Sequence, residues 1–316
     1  MSQNSKQAEA IADAVWGIPA QTHETMAAMV WKRFRRHPGA IAGIFVLGLI
    51  IMGVILAPLS PYDPEASDIR NRLEPPSRQH PFGTDALGRD LLTRCRYGGR
   101  VSLIVGFLVV IITLMVGMPV GAVAGFFGGR VDNILMRITD TALSLPPLMV
   151  LILLSAILRE VELPFFEENN VLTIAVVIGI LSWMTVARLV RASFLAIKEM
   201  EFITAANCVG VSNLRVMARH ILPNAVGPVI VEATLIMGYA IMEEAGLSFL
   251  GFGIRPPTPS WGNLLNSAWE HMIKHPWLAV FPGLMIFVTI ISINYIGDGL
   301  RDAFDPHKVL QQVGEV

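Results

Sequence analysis

Five ionisable side chains interrupt otherwise apolar runs of the sequence: Arg137, Asp140, Glu232, Glu243 and Glu244. A charge at the centre of a membrane-spanning helix costs about 2.5–3.5 kcal/mol on insertion scales, so such residues face a bundle interior, a cavity or a partner charge. Arg137 and Asp140 stand three apart, share a helical face and can pair with each other. Asp140, Glu243 and Glu244 are the pathway candidates, because a carboxylate there could meet a substrate amine or carry a proton. Glu244 sits deepest in its run and has an alternative reading as a hydrogen-bonded packing residue. Other reactive chemistry is sparse. Ser248 lies between Gly246 and Gly251, but G-x-S-x-G would need glycine at 250, where leucine stands. His271 and His275 are four apart, yet Glu270 precedes the first, which is not the H-E-x-x-H order, and no metal site is assigned. Cys95 and Cys208 fit no zinc or C-x-x-C spacing. The sequence contains no G-x-x-x-x-G-K-[ST], so work driven by ATP would need a nucleotide site on another subunit.

The elements that must position these residues follow from composition. Of 316 residues, 53% are hydrophobic and 16% charged, against about 25% charged in an ordinary soluble domain. That excludes a soluble enzyme of usual composition, a disordered chain, a collagen and a disulfide-stapled module. A net charge of −1 gives no sign of a nucleic-acid partner. Roughly 20 apolar residues cross the ~30 Å hydrocarbon layer. Six runs qualify: 39–59, 101–127, 134–158, 171–190, 223–250 and 277–297. The expectation is an all-α polytopic membrane protein of about six spans with both termini on one side. With the termini inside, 14 Lys and Arg fall on inside segments and three on the outside segments other than 60–100, so both termini read as cytoplasmic. Cys95 then lies outside and Cys208 inside. The first run is not a cleavable signal, since 38 residues precede it and no small-x-small site closes it.

The connecting segments have their own expectations. In the cytoplasmic segment 1–38, residues 1–23 read as poorly ordered, and 24–36 as an interfacial helix near anionic lipid, with Met26, Met29, Val30 and Phe34 on one face beside a basic cluster; a solvated juxtamembrane stretch is the alternative. The outer segment 60–100 is Pro-rich up to residue 83. Thr84 then reads as the N-cap of an elbow helix on the membrane surface, ended by Gly98 and Gly99. Residues 253–262 form a loop stiffened by three prolines, with Trp261 placed at the membrane interface. Both outer segments could meet a soluble partner. Residues 301–316 read as a cytoplasmic tail. Gly117, Gly121, Gly125 and Gly129 recur every four residues, which marks a face for close helix packing in lipid.

The connection 191–222 has internal order. Met200 to Val209 can form a short helix with Phe202, Ala205, Ala206 and Val209 on its apolar face. Gly210 suits the C′ position, where φ is positive. Ser212 can cap a second helix that places Leu214, Met217 and Ile221 on one side, before Pro223 opens the next span. An exposed short helix suits insertion into a partner's groove; packing on the chain's own helices is the alternative.

This segment resembles the cytoplasmic signature of ABC importer permeases: Glu-Ala-Ala, three residues, Gly, nine residues, Ile, any residue, Leu-Pro. Here it reads Thr204-Ala205-Ala206, Gly210 and His220-Ile221-Leu222-Pro223, with Thr204 in place of the Glu and His220 in place of the Ile. Residues 80–103, 246–265 and 294–306 are similar to the dipeptide, oligopeptide and nickel branch, in its second permease of the dipeptide-permease C type. The resemblance implies a type I ABC importer transmembrane fold with its core at 101–300, in the bacterial inner (cytoplasmic) membrane. It implies contact with a partner ATPase through Glu201, Phe202, Thr204, Ala205, Ala206, Val209, Gly210, His220, Leu222 and Pro223. It further implies a homologous second permease, two cytoplasmic ATPases that carry the ATP and Mg, and a periplasmic or lipid-anchored receptor. No cofactor is then expected on this chain, and the chain itself is a transport subunit, not an enzyme. Alternating access would move di- or oligopeptides, with glutathione, nickel complexes and opines left open. The rival reading is a proton-coupled secondary transporter using its intramembrane carboxylates; such proteins usually carry inverted repeats, and no convincing repeat is visible.

Overall fold

A computed structural model describes residues 26–160 and 170–304. Among these residues all regular structure is helical apart from a single antiparallel bridge between Thr84 and Asp90. The expectations for residues 1–23 and for the tail beyond Phe304 fall outside the described residues. Helix α1 (Met26–Phe34) lies against the end of the last helix, where Phe34 is buried with Ala40 and Ala303. Helix α2 (Pro38–Ile55) begins with His37 as its cap, whose Nδ1 accepts from the Ala40 N–H at 3.0 Å. A proline at the first helical position costs nothing there, because that N–H has no intrahelical partner.

Helix α3 (Leu91–Phe127) has 37 residues, about 55 Å at 1.5 Å per residue. It is therefore longer than the hydrocarbon layer. This corrects the elbow helix: no separate helix starts at Thr84, Asp90 is the cap, accepting from Thr93 N–H at 2.8 Å, and the helix runs unbroken through Gly98 and Gly99. Those glycines are contact points. A Cβ on Gly98 would come within 3.1 Å of the Ser260 backbone, and one on Gly99 within 2.7 Å of the Trp261 ring. Trp261 itself is only 1% exposed and donates its indole N–H to Cys95 O at 2.9 Å, so it belongs to the core and not to the membrane interface.

The run 134–158 is also not one helix. α4 (Gly129–Leu143) and α5 (Pro147–Glu160) meet at a bend of 87°. Pro146 and Pro147 supply no N–H, and a residue before proline is pushed out of the α region, so the helix must stop there. α6 (Asn170–Lys198) follows, then the short α7 (Glu201–Cys208). α8 (Asn213–Phe249) includes a π-helical turn at Val216–Ile221. α9 (Trp261–Ala268) and α10 (Trp277–Phe304) complete the chain. Five of these helices are long and apolar enough to cross a membrane, and the bent pair makes a sixth if counted as one span. α6 and α8 take in residues 191–198 and 213–222 of the expected loop, leaving 199–212 between them.

The tightest pairing joins α3 to α6. A Cβ on Gly117 would stand 2.7 Å from Trp183 O, one on Gly121 would meet Ala187 O, and one on Gly125 would stand 2.6 Å from Phe194 Cβ. Gly129 is corrected: it lies past the end of α3 at φ +55°, with nothing within 4 Å of a Cβ there. The period of four continued in the sequence after the helix had ended.

Residues 57–90 cap one end of the bundle, and Asp85 organises them. Its carboxylate accepts from Arg89 Nε at 2.8 Å, from Arg94 Nη1, and from the N–H groups of Leu87 and Arg89 at 2.8 and 3.0 Å. Burial alone would raise its pKa; the two guanidiniums and the backbone donors outweigh that and hold it below the ordinary carboxylate range. A group with a lowered folded pKa stabilises the fold above its unfolded value, near 3.9, and loses that contribution as pH falls through the folded value. The cap is thus expected to resist mild acid and loosen only below about pH 4. Asp85→Asn should cost about 3–5 kcal/mol at neutral pH, because it strands a buried arginine. Thermal inactivation of the purified chain at pH 7, at pH 4 and at about pH 2.5 checks both statements: the gap between wild type and variant persists at pH 4 and narrows only in the stronger acid.

Candidate functional site

The surface of α7 is built by opposition within eight residues. Ile203 is fully buried in the cluster that contains Val216 and Ile221, and pins the helix to the bundle. On the other side Phe202 is 44% and Val209 84% exposed, and Thr204 and Ala205 are exposed beside them. Ala206 is half-buried. The helix closes as a Schellman motif. Gly210, at φ +80°, donates to Asn207 O at 3.0 Å, and Val211 N–H donates to Ala206 O at 3.2 Å. A residue with a Cβ would pay for that left-handed conformation. Glu201 opens the helix, where its charge suits the positive end of the helix dipole.

The second element differs from expectation. Ser212 makes no side-chain cap bond, and Leu214 is 77% exposed while Ile221 is fully buried. Leu214, Met217 and Ile221 therefore do not share one buried side. The π-helical turn is the physical reason, since an i→i+5 turn rotates the following residues off the 3.6-residue register. His220 lies in that turn, and its carbonyl accepts from Asn224 Nδ2 at 2.7 Å. Leu222 is half-buried and Pro223 exposed where the turn becomes the spanning helix.

The carboxylates take up three different situations. Glu244 is fully buried, accepting from Ser102 Oγ at 2.8 Å and Ser248 Oγ at 2.7 Å. Ser248 Oγ in turn accepts from Ile254 N–H at 3.0 Å. The carboxylate thereby ties α3, α8 and the loop before α9 together, and does not line the cavity between α5, α6 and α8. Glu243 does: with Glu232, Tyr239, Ser182, Thr185 and the break residue Pro147 it lines that cavity, of about 370 Å³. Glu232 joins it there, although it is not one of the three pathway candidates of the sequence. The overlooked signal is spacing, since Glu232 and Glu243 are eleven positions apart, three helical turns plus about 20°. Asp140 pairs with Arg188 at 2.5 Å and not with Arg137, and Asp132 makes a two-pronged pair with Arg191 at 2.5 and 2.6 Å. Both pairs run from α4 to α6. The partner arginines stand at or just past the end of the apolar run 171–190, where a charge in the sequence reads as part of the flanking segment.

Among the described residues no three His, Cys, Asp or Glu come together as metal ligands. Residues 117–309 match the family described as the binding-protein-dependent transport system inner membrane component. The chain belongs to that family. Residues 25–76 match the N-terminal TM domain of oligopeptide transport permease C. The oligopeptide transport system permease protein OppC of Bacillus subtilis is 38% identical over 282 residues, covering 88% of this chain and 90% of that protein. The dipeptide transport system permease protein DppC of Alkalihalophilus pseudofirmus is 40% identical over 277 residues, covering 87% and 88%. The glutathione transport system permease protein GsiD of Pectobacterium atrosepticum is 39% identical over 278 residues, covering 87% and 89%. This permease thus has the all-α type I importer fold, is a multi-pass inner membrane protein, and is a transport subunit and not an enzyme.

Proposed function

We propose that this permease forms half of the channel of an ATP-driven peptide importer, with a homologous permease as the other half. One of two cytoplasmic ATPases seats the exposed face of α7, and a receptor delivers substrate to the opposite side, where residues 57–100 and the loop before α9 lie. The carrying observation is α7 itself, an apolar helix held rigidly by Ile203 with Phe202 and Val209 left uncovered. Covering them would remove apolar area from water at about 25 cal/mol per Å², and a short helix in a groove is a recurrent recognition mode. Nucleotide-driven closure of the ATPases would pull on α7 and, through the π-helical turn, on α8. α8 carries Glu232 and Glu243, so the same movement reshapes the cavity. Di- and oligopeptides fit this reading best, since a free α-amine is the cation those two carboxylates can meet.

Mild affinity purification of the tagged chain, with mass spectrometry of what accompanies it, tests the assembly. A second permease and P-loop ATPases are expected. Glu232→Gln combined with Glu243→Gln is expected to lower uptake of a free-amine peptide about tenfold or more, the worth of one or two charge-assisted hydrogen bonds. Uptake of the N-acetylated peptide should change far less. Competition between the two labelled peptides in the same vesicles checks this.

A further inference from the structure

A second cavity, of about 200 Å³, opens between α2 and the cap-side end of α3. Leu49, Gly53 and Val54 form one wall, Leu92 and Trp261 the other, and Arg96 also lines it. Nothing lies within 4 Å of where a Cβ on Gly53 would stand, so the wall is left hollow at that point. Leu49 lines the slot and is also exposed on the flank of α2, beside exposed Phe45 and Met52. The mouth therefore faces the hydrocarbon of the bilayer and not an aqueous compartment.

Arg96 supplies the polar end. Arg89 and Arg94 both hold Asp85. Among the described residues no carboxylate pairs with Arg96. A half-buried guanidinium with no carboxylate partner among the described residues, in the lining of an apolar slot that opens into lipid, matches one kind of molecule: a negative oxygen cluster joined to a hydrocarbon chain. Arginine binds phosphate oxygens in a planar fork and tolerates partial desolvation better than lysine. Water would have too few polar partners in such a slot. We propose that this groove is a phospholipid site, with the phosphate on Arg96 and one acyl chain laid along Gly53 and Val54. The lipid comes from the leaflet on the side of residues 57–100. It would act as a wedge between α2, which touches the bundle mainly along α10, and the α3 region that supports the cap.

The test uses the chain purified in mild detergent with whatever subunits accompany it, and native mass spectrometry. Wild type is expected to keep one phospholipid per copy after detergent washing. Gly53→Phe, which fills the slot, and Arg96→Gln, which removes the phosphate partner, should each lower the retained fraction at least tenfold. Phosphatidylglycerol brominated on its acyl chain, added back, should quench tryptophan fluorescence more in wild type than in Gly53→Phe, because Trp261 lines the slot. Equal lipid retention in wild type and both variants, or a slot that takes only detergent, overturns the proposal. The two variants lie on different helices, α2 and α3, so misfolding of one leaves the other as the test.

Discussion

Phe202→Asp is expected to reduce ATP-driven uptake about 30-fold or more while the permease still inserts and purifies normally. The side chain is exposed and contributes little to the isolated fold, so the loss appears only where a partner covers it. Burying an unpaired carboxylate in an apolar groove forfeits the hydrophobic contact and adds a desolvation cost, and truncating a central anchor commonly costs 2 kcal/mol or more. Receptor-stimulated ATP hydrolysis in the purified complex should fall with uptake. Gly210→Pro should act similarly by another route. Its φ of +80° and its N–H bond to Asn207 are both incompatible with proline. Ile203→Ala, which loosens the helix without touching the exposed face, should reduce coupling less than Phe202→Asp and lower stability more. Normal uptake in Phe202→Asp would remove the docking role of α7.

Gly121→Leu is the second large effect, and it concerns the fold. The new Cβ would meet Ala187 O and come within 2.8 Å of Val190 Cβ. One of those neighbours is backbone, so no rotamer change relieves the overlap and α3 must move away from α6. Overpacking a core costs about 1–3 kcal/mol where side chains can yield; here the cost should be at or above the upper end, with loss of monodisperse protein. Gly48→Leu is the control, since nothing lies within 4 Å of its Cβ position, and it should change the midpoint of thermal aggregation by little. Size-exclusion profiles of the two variants decide the comparison.

The sequence made the spans and the α7 signature legible because both rest on local rules: apolar length against bilayer thickness, and a glycine at C′. It misled where a residue's role depends on what packs against it. Gly98 and Gly99 read as a helix end, yet they are thin places that admit Ser260 and Trp261. Trp261 read as an interface anchor, but a chain-distant carbonyl satisfies its N–H and lets it be buried. Gly129 continued a period that the helix itself did not. The Pro146-Pro147 pair was visible, and its consequence, an 87° bend, was underestimated because the flanking residues stay apolar. Among the carboxylates, depth in the run singled out Glu244, which accepts two serine hydroxyls inside the bundle. The cavity instead received Glu243 and Glu232.

The central claim is that this permease works through a partner that hydrolyses ATP. The most direct measurement is peptide uptake into liposomes holding the co-purified complex, with ATP or an imposed proton gradient as the only energy source. Accumulation is expected with ATP on the face that carries α7, none with the proton gradient alone, and the ATP-driven signal should be lost in Phe202→Asp. Accumulation driven by the proton gradient in liposomes that hold this chain and no ATPase would contradict it, and would make the cavity carboxylates Glu232 and Glu243 candidate proton carriers.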